Sequence, residues 1–254
     1  MALLELDGCS LSFGGVRAVN RVALALAPGE LVGLIGPNGA GKTTVFNLIT
    51  GVYAPDHGAI RLNGRDIGGL TPFRINRLGI ARTFQGVRLF PTMTAFENVV
   101  IGYSSRAGGL LGAVARTPQA QSTHDRIEAE CHALLRMLDL EAQRDLPARA
   151  IGQGAQRRLE IARALATGPR LLLLDEPAAG TTPQEKIELM ERIRWLRDQL
   201  GLGILVIEHD MKMIMQMCER ITVLDHGEVI AVGGPDDVRT NPKVIDAYLG
   251  EERT

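Results

Sequence analysis

The sequence predicts an α/β protein whose mainly parallel sheet is covered by helices on both faces. In the last third of the chain, short apolar strands alternate with helical segments, which is typical of parallel sheets with helices on either side. Nearer the N-terminus, the apolar run Leu31–Ile35 leads directly into a glycine-rich loop and the start of a helix. Because 45% of the 254 residues are hydrophobic, the chain can also fill a sizeable core.

The N-terminal part of the chain combines strands, turns and a helix. Residues 3–26 have the composition of short strands broken by turn residues, and residues 58–64 look like a further strand and turn. A helix is predicted to begin near Gly41 and to stop at Gly51, because glycine is favoured just past a helix end.

The rest of the chain divides into a helical middle part and an alternating last third. Residues 95–165 are rich in helix formers, with a Gly/Ser/Thr-rich interruption around 102–123. The predicted later elements are strands Leu171–Leu174, Ile204–Ile207 and Ile221–Leu224, helices Gln184–Leu200 and Met211–Cys218, a hairpin turn at Asp225–Gly227, and short C-terminal helices. The predicted core face of the first of these helices comprises Ile187, Met190, Ile193, Leu196 and Leu200.

Charge and composition exclude several classes of protein. The 28 basic and 29 acidic residues leave a net charge of -1, whereas a dedicated nucleic-acid binder usually carries a basic excess. The three cysteines are scattered and odd in number, so neither a disulfide framework nor a metal cluster is predicted. The sequence lacks a bilayer-spanning apolar run and the basic start of a signal peptide. We therefore expect a soluble cytosolic protein that does not bind nucleic acid and meets a membrane only through a partner.

A phosphate-binding loop is predicted between the first buried strand and the helix that follows it. Residues 36–43 fit the pattern G-x-x-x-x-G-K-[ST] at every fixed position. Glycines let backbone N–H groups curl around phosphate oxygens, and a helix N-terminus favours negative charge. Lys42 can reach the β- and γ-phosphates, and the Thr43 hydroxyl can bind Mg²⁺. The predicted nucleotide-binding residues are Gly36, Pro37, Asn38, Gly39, Ala40, Gly41, Lys42, Thr43 and Thr44.

Polar residues at the ends of two later strands predict the chemistry of this site. Asp175 and Glu176 end the strand that begins at Leu171. Asp175 can hold Mg²⁺, and Glu176 can act as general base toward an attacking water. His209 follows another apolar strand and is predicted to contact the γ-phosphate, because α/β proteins bind ligands at the carboxyl ends of their strands.

The order of these motifs resembles that of the ATP-binding subunits of ABC transporters. A phosphate loop is followed by Asp-Glu-Pro at 175–177 and by Glu-His-Asp at 208–210. The resemblance covers essentially the whole chain. It implies a P-loop NTPase core with an antiparallel β subdomain and an inserted helical subdomain, all within one domain, 1–254. The implied divisions are a core at about 1–94 and 166–235, a helical subdomain at about 95–165, and a helical tail at about 236–254.

The same resemblance implies ligands and further site residues. It implies ATP and Mg²⁺, and it makes Gln85, in the segment Arg-Thr-Phe-Gln, a residue that contacts Mg²⁺ and the attacking water. Phe13 matches the aromatic side chain that stacks on adenine. An ordinary core position in a strand is the alternative for Phe13, because stacking is a weak pattern in a sequence.

A closer resemblance is to the longer ATPase subunit of bacterial and archaeal branched-chain amino acid importers. The segments that carry it are 13–20, 156–165, 175–180, 207–211 and 241–250. It implies a complex with a second ABC ATPase subunit, homologous or identical, two membrane permeases and, indirectly, an extracytoplasmic substrate-binding protein. In that complex the chain would lie on the cytoplasmic face of the cell membrane and power the import of branched-chain or related amino acids and amides.

Two motifs depart from the family pattern. Where the family has its signature L-S-G-G-Q, residues 151–155 read I-G-Q-G-A, so Gly152 lacks the serine hydroxyl and Ala155 the glutamine amide. One lost hydrogen bond to a charged phosphate costs about 1.5–3 kcal/mol, whereas glycine is still an acceptable helix N-cap. Thr182 replaces the usual Asn or Asp of the loop that couples the two subunits. The predicted contacts to a partner subunit's nucleotide are Gly152, Gln153 and Gly154, and Gly152 and Ala155 are both expected to face the partner's phosphate loop.

Three functions remain open from the sequence. The first is a transport ATPase in which ATP closes a dimer and hydrolysis reopens it. The second is an ABC protein without a membrane partner, a class that typically carries a coiled-coil insertion or tandem ATPase domains, neither of which this sequence has. The third is a nucleotide-gated subunit that hydrolyses little, motivated by Gly152 and Ala155. The amino acid carried, and pairing with itself or with a homologue, are not decided by the sequence.

Overall fold

The computed structural model describes residues 2–104 and 118–251. The strands are β1 (Leu4–Phe13), β2 (Val16–Leu26), β3 (Leu31–Ile35), β4 (His57–Leu62), β5 (Arg65–Asp66), β6 (Ile80–Arg82), β7 (Leu171–Asp175), β8 (Gly203–Ile207), β9 (Arg220–Asp225) and β10 (Glu228–Gly233). The helices are α1 (Lys42–Ile49), α2 (Pro72–Arg77), α3 (Ala95–Ser104), α4 (Pro118–Met137), α5 (Gln153–Ala166), α6 (Pro183–Leu200), α7 (Met211–Met217), α8 (Pro235–Arg239) and α9 (Pro242–Glu251).

Within the described residues, the main sheet has six strands in the order β10-β9-β3-β8-β7-β6. The β9–β10 pair is antiparallel, and the other neighbouring pairs are parallel. Successive side chains of a strand point to opposite faces. Accordingly, Leu172 and Leu174 of β7 join one hydrophobic cluster, with α5, α6 and α7, while Leu171 and Leu173 join a second cluster that includes α1. The sheet is therefore apolar on both faces, and the predicted α/β class is confirmed.

A second, antiparallel sheet has the strand order β2-β1-β4-β5. The prediction of several short strands within residues 3–26 is wrong, because this segment forms two long strands, β1 and β2, that pair with each other. Their register shifts at several points, and such irregularities are tolerated as β-bulges. The turn residues inside the segment therefore mark one hairpin turn and local bulges rather than several strand ends.

Helix α6 buries a narrower face than the sequence predicted. Met190, Ile193 and Leu196 are buried, but Ile187 is 46% exposed and Leu200 is 41% exposed. A repeat of three residues drifts by about 60° per step around an α-helix. Ile187 therefore lies on the side opposite Leu196, and Leu200 is the last residue of the helix. The predicted core face is wrong at these two positions.

Helices α3, α4 and α5 pack against one another within the part of the chain predicted to be helical. Helix α3 continues to Ser104 and helix α4 begins at Pro118, so the predicted interruption at 102–123 is wrong at 102–104 and at 118–123. Residues 105–117 lie outside the described residues. Within 2–104 and 118–251, no helix has both the length and the apolar composition that crossing a bilayer requires.

Candidate active site

The phosphate loop connects β3 to α1, and its glycines are required by the backbone. Gly36 has φ of 150°, and a Cβ there would lie 2.0 Å from the carbonyl oxygen of Leu224. Gly41, the N-cap of α1, has φ of 100°, and a Cβ there would lie 2.6 Å from the carbonyl oxygen of Ala18. Any side chain at either position would clash with the neighbouring backbone. The loop can therefore adopt this backbone conformation only with glycine at both positions.

Lys42 lies inside this loop. Its side chain is buried, and Nζ donates hydrogen bonds to the carbonyl oxygens of Gly36 at 2.6 Å and Pro37 at 2.7 Å. Thr43 and Thr44 follow in the first turn of α1, which contains no acidic residue. A helix N-terminus and a lysine ammonium both favour an anion. The loop therefore has the charge and shape to bind phosphate oxygens.

The three predicted catalytic side chains meet at one point. Gln85 Nε2 donates to the two carboxylate oxygens of Glu176 at 3.0 and 3.1 Å. His209 Nε2 lies 2.8 Å from Glu176 Oε1. Glu176 itself has φ of 48°, a left-handed conformation that costs a non-glycine residue about 1–3 kcal/mol. This strained residue directs its carboxylate to a point that Gln85 and His209 both reach.

Asp175 is paired with an arginine that the sequence did not point to. Arg82 Nη2 donates to Asp175 Oδ2 at 2.7 Å, and both side chains are almost fully buried. Arg82 Nη1 donates to Asn47 Oδ1 at 2.7 Å, and its guanidinium lies 5.3 and 5.4 Å from the ring centroids of Phe46 and Phe84. Asp175 is therefore held in one orientation by a buried counter-ion.

The predicted magnesium ligands fit that ion in their chemistry. No group of three or more His, Cys, Asp or Glu side chains in the described part of the chain could hold a metal ion. Mg²⁺ does not need such a group, because it commonly binds one or two carboxylates together with substrate phosphates and water. Thr43, Gln85 and Asp175 supply a hydroxyl, an amide and a carboxylate, which are oxygen ligands of the kind that Mg²⁺ prefers.

Phe13 lies at the end of β1 and is 45% exposed. Its ring contacts that of Tyr53 edge to face, with centroids 5.0 Å apart and planes at 72°. The alternative of an ordinary core position is therefore wrong. The exposed ring remains a candidate for stacking on a nucleotide base, and Tyr53 is a neighbour that the sequence did not reveal.

The signature residues lie at the start of α5. Gly152 is the N-cap and is exposed, and a Cβ there would meet nothing within 4 Å. Gly154 is buried, and a Cβ there would lie 2.5 Å from Glu185 Oε1. Gln153 lies next to Gly180. Helix α5 forms without a side-chain cap, as expected.

Ala155 differs from the expectation. The sequence suggested that Ala155, like Gly152, faces a partner subunit, but Ala155 is only 7% exposed and belongs to a hydrophobic cluster. Gly152 is thus the exposed member of the pair. Thr182 also has a local role, because it caps α6 by exchanging hydrogen bonds with Glu185.

Glu208 links the segment that contains His209 to the segment that follows Glu176. The sequence analysis did not identify Glu208 as a site residue. Its buried carboxylate accepts hydrogen bonds from the backbone N–H of Ala178 at 2.8 Å and of His209 at 3.2 Å. Burial raises the pKa of Glu208. Beside it, Lys186 and Asp210 form an ion pair at 2.8 Å. These bonds fix the position of His209 relative to the start of α6.

The sequence matches two families. Residues 19–179 match the family described as ABC transporter. Residues 228–254 match the family described as Branched-chain amino acid ATP-binding cassette transporter. The first match includes the phosphate loop, Gln85 and the Asp175–Glu176 pair, and the second includes β10 and the C-terminal helices.

Individual relatives are similar over nearly the full length. The chain is 45% identical over 251 residues to the high-affinity branched-chain amino acid transport ATP-binding protein BraF of Pseudomonas aeruginosa, with 98% of each chain covered. It is 45% identical over 250 residues to the corresponding protein LivG of Escherichia coli, again with 98% of each covered. A crystal structure of an ATP-binding cassette of an ABC transporter, in its ADP conformation, is similar with a TM-score of 0.86 at 28% identity, covering 98% of this chain and 99% of that one.

Proposed function

Since this chain belongs to the ABC transporter family of ATP-binding subunits, we propose that it binds and hydrolyses ATP to power the import of branched-chain or related amino acids and amides through a membrane permease. The observation that carries the chemistry is the meeting of Gln85 and His209 on the carboxylate of Glu176. The cargo class is supported by the C-terminal family match and by the similarity to BraF and LivG, which are branched-chain amino acid transport proteins by name.

The proposed mechanism assigns one task to each polar group. Lys42 exchanges its bonds to loop carbonyls for bonds to the β- and γ-phosphate oxygens. Thr43, Gln85 and Asp175 would hold Mg²⁺, which when bound would neutralise charge on the phosphates. Glu176 accepts the proton of the attacking water, and His209 keeps the Glu176 carboxylate oriented. As the sequence predicts, His209 also contacts the γ-phosphate, and Phe13 stacks on the base.

The proposed assembly is the complex that the resemblance to branched-chain amino acid importers implies. The chain pairs with a second ABC ATPase subunit, binds two permeases at the cytoplasmic face of the cell membrane, and serves an extracytoplasmic binding protein indirectly. Two ATP molecules lie between the subunits, each between the phosphate loop of one and the signature segment of the other. The division into a core at about 1–94 and 166–235, a helical subdomain and a C-terminal tail is part of this proposal.

A subunit of low intrinsic hydrolysis is the second candidate, and Gly152 is the observation that favours it. This residue is exposed at the start of α5, where the family serine would offer a hydroxyl to the partner's nucleotide. In a heterodimer, one site would combine this chain's Lys42 and Glu176 with the partner's signature and stay competent. The other site would rely on Gly152 and be weakened.

Gly152→Ser is expected to raise steady-state ATP hydrolysis of the homodimer about ten- to hundred-fold, because one hydrogen bond to a charged phosphate contributes about 1.5–3 kcal/mol. A heterodimer with a serine-containing partner should gain about twofold or less. The measurement is the initial rate of phosphate release. The matched control, Gly152→Ala, adds the Cβ without the hydroxyl and should not raise the rate. Equal rates for the serine and alanine variants would contradict the argument from the hydroxyl.

Lys42→Ala tests the proposed nucleotide site directly. The variant loses the ammonium group at the phosphate loop, so ATP affinity in the presence of Mg²⁺ should fall by at least about tenfold, or roughly 1.4 kcal/mol. Isothermal titration calorimetry gives the affinity, and circular dichroism verifies folding. Lys212→Ala, which removes an exposed lysine of α7, is the matched control and should bind as the wild type does. Unchanged affinity in the folded Lys42→Ala protein would contradict the assignment.

A further inference from the structure

The loop 84–88 contains Gln85 and is anchored to α5 on both sides of that residue. The backbone N–H of Arg88 donates to Glu160 Oε1 at 2.7 Å. Arg157 Nη1 donates to the carbonyl oxygen of Phe84 at 3.3 Å. The loop has no regular secondary structure, so its backbone groups cannot rely on a helix or sheet ladder. Two side chains of one helix thus fix the residues on both sides of Gln85.

The two anchoring side chains form a buried ion pair. Arg157 Nη1 lies 3.4 Å from Glu160 Oε2, and the exposed fractions of the two side chains are 8% and 2%. Burial raises the pKa of Glu160, and burial lowers the pKa of the neighbouring Arg163. Arg157 Nε is also buried without a hydrogen-bond partner. The charges are therefore poorly solvated and incompletely satisfied.

Stability alone does not explain a buried ion pair at these two positions. Apolar residues of similar volume are often as stabilising as a buried ion pair, or more so. Apolar side chains can neither accept a hydrogen bond from the backbone N–H of Arg88 nor donate one to the carbonyl oxygen of Phe84. The features that only this pair provides are thus the two bonds to the loop. Gln85 lies between the two bonded residues and within hydrogen-bond distance of Glu176.

We propose that Glu160 and Arg157 are positioning residues that hold Gln85 on Glu176 from the helix whose first residues form the signature segment. Both lie within two turns of Gly154 on α5, so a displacement of the start of α5 moves the anchors of Gln85 with it. The proposal rests on the proposed function, because it takes Gln85 to be part of the hydrolytic site.

The first test compares Glu160→Leu with Glu160→Gln in the complex purified with its partner subunits. Glu160→Leu removes the acceptor for Arg88 N–H, so kcat should fall about ten- to hundred-fold while KM for ATP changes by about twofold or less. Glu160→Gln keeps an acceptor oxygen and should restore kcat to within about threefold of the wild type. Equal kcat for the leucine variant and the wild type would overturn the proposal.

A double-mutant cycle separates positioning from a general structural effect. If Glu160 acts through Gln85, then Glu160→Leu should change kcat by about twofold or less when Gln85→Ala is already present. Independent, multiplicative losses would overturn the proposal. Glu30→Leu is the control, because Glu30 pairs with Arg220 away from this loop and should leave kcat unchanged in both backgrounds.

A second variant tests the same proposal in case the first does not fold. If Glu160→Leu does not fold, Arg157→Met combined with Glu160→Gln replaces it: this charge-neutral variant loses the bond to Phe84 and should lower kcat in the wild-type background only. An equal fall with Gln85→Ala present would overturn the proposal. A wild-type complex without ATPase activity would instead remove the proposed function.

Discussion

Glu176→Gln is expected to lower the rate of ATP hydrolysis about 10²–10⁴-fold while ATP still binds. Glutamine keeps the shape of the side chain, and its single amide oxygen can still accept hydrogen bonds from Gln85 and His209, although the second bond from Gln85 is lost. An amide cannot accept the proton of the attacking water. The loss should therefore fall on kcat, and the variant should accumulate as an ATP-bound dimer when its partner subunit is present.

The measurement pairs initial-rate phosphate release by the assembled complex with ATP binding by calorimetry. Glu191→Gln is the matched control, since Glu191 is exposed on α6, and it should retain full activity. Wild-type turnover by Glu176→Gln in the assembled complex would show that Glu176 is not the base.

Arg82→Met is expected to lower the free energy of unfolding by about 3–5 kcal/mol in the absence of nucleotide. The reason is that Asp175 is buried, and removing one member of a buried ion pair leaves an uncompensated charge. Adding Asp175→Asn removes that charge, so the double variant should recover most of the loss. This recovery distinguishes charge pairing from simple loss of packing around Arg82.

Urea denaturation of the isolated chain measures these differences. Arg192→Met is the control, because Arg192 pairs with Asp139 in an exposed position, and such pairs contribute about 0–1 kcal/mol. If Arg82→Met costs less than about 1 kcal/mol, or if Asp175→Asn does not restore stability, Arg82 does not compensate a buried charge on Asp175.

The parts of the structure that the sequence predicted correctly are those that depend on neighbouring residues. A buried strand, a glycine-rich loop and a helix start occur within one continuous segment, so Leu31–Ile35 and the helix after Gly41 could be predicted from local pattern alone. The strand-end positions of Asp175 and His209 followed from short apolar runs. The roles of these residues in binding and catalysis stay predictions.

The parts that the sequence did not predict depend on contacts between distant segments. Arg82 and Asp175 are adjacent because β6 pairs with β7, and β6 has only three residues, too few for a periodic pattern. Ala155 was expected to face a partner subunit because it occupies a signature position, but it belongs to a buried hydrophobic cluster that also contains residues of α3 and α4. Ile187 was misassigned because a three-residue repeat does not follow one helix face.

The central claim, that hydrolysis by this chain powers amino acid import, is tested most directly by uptake of labelled leucine in host cells that lack the chain. The wild-type chain should restore uptake, and Glu176→Gln, produced at the same level, should not. Equal uptake with the Glu176→Gln chain would contradict the claim that ATP hydrolysis at this site drives transport.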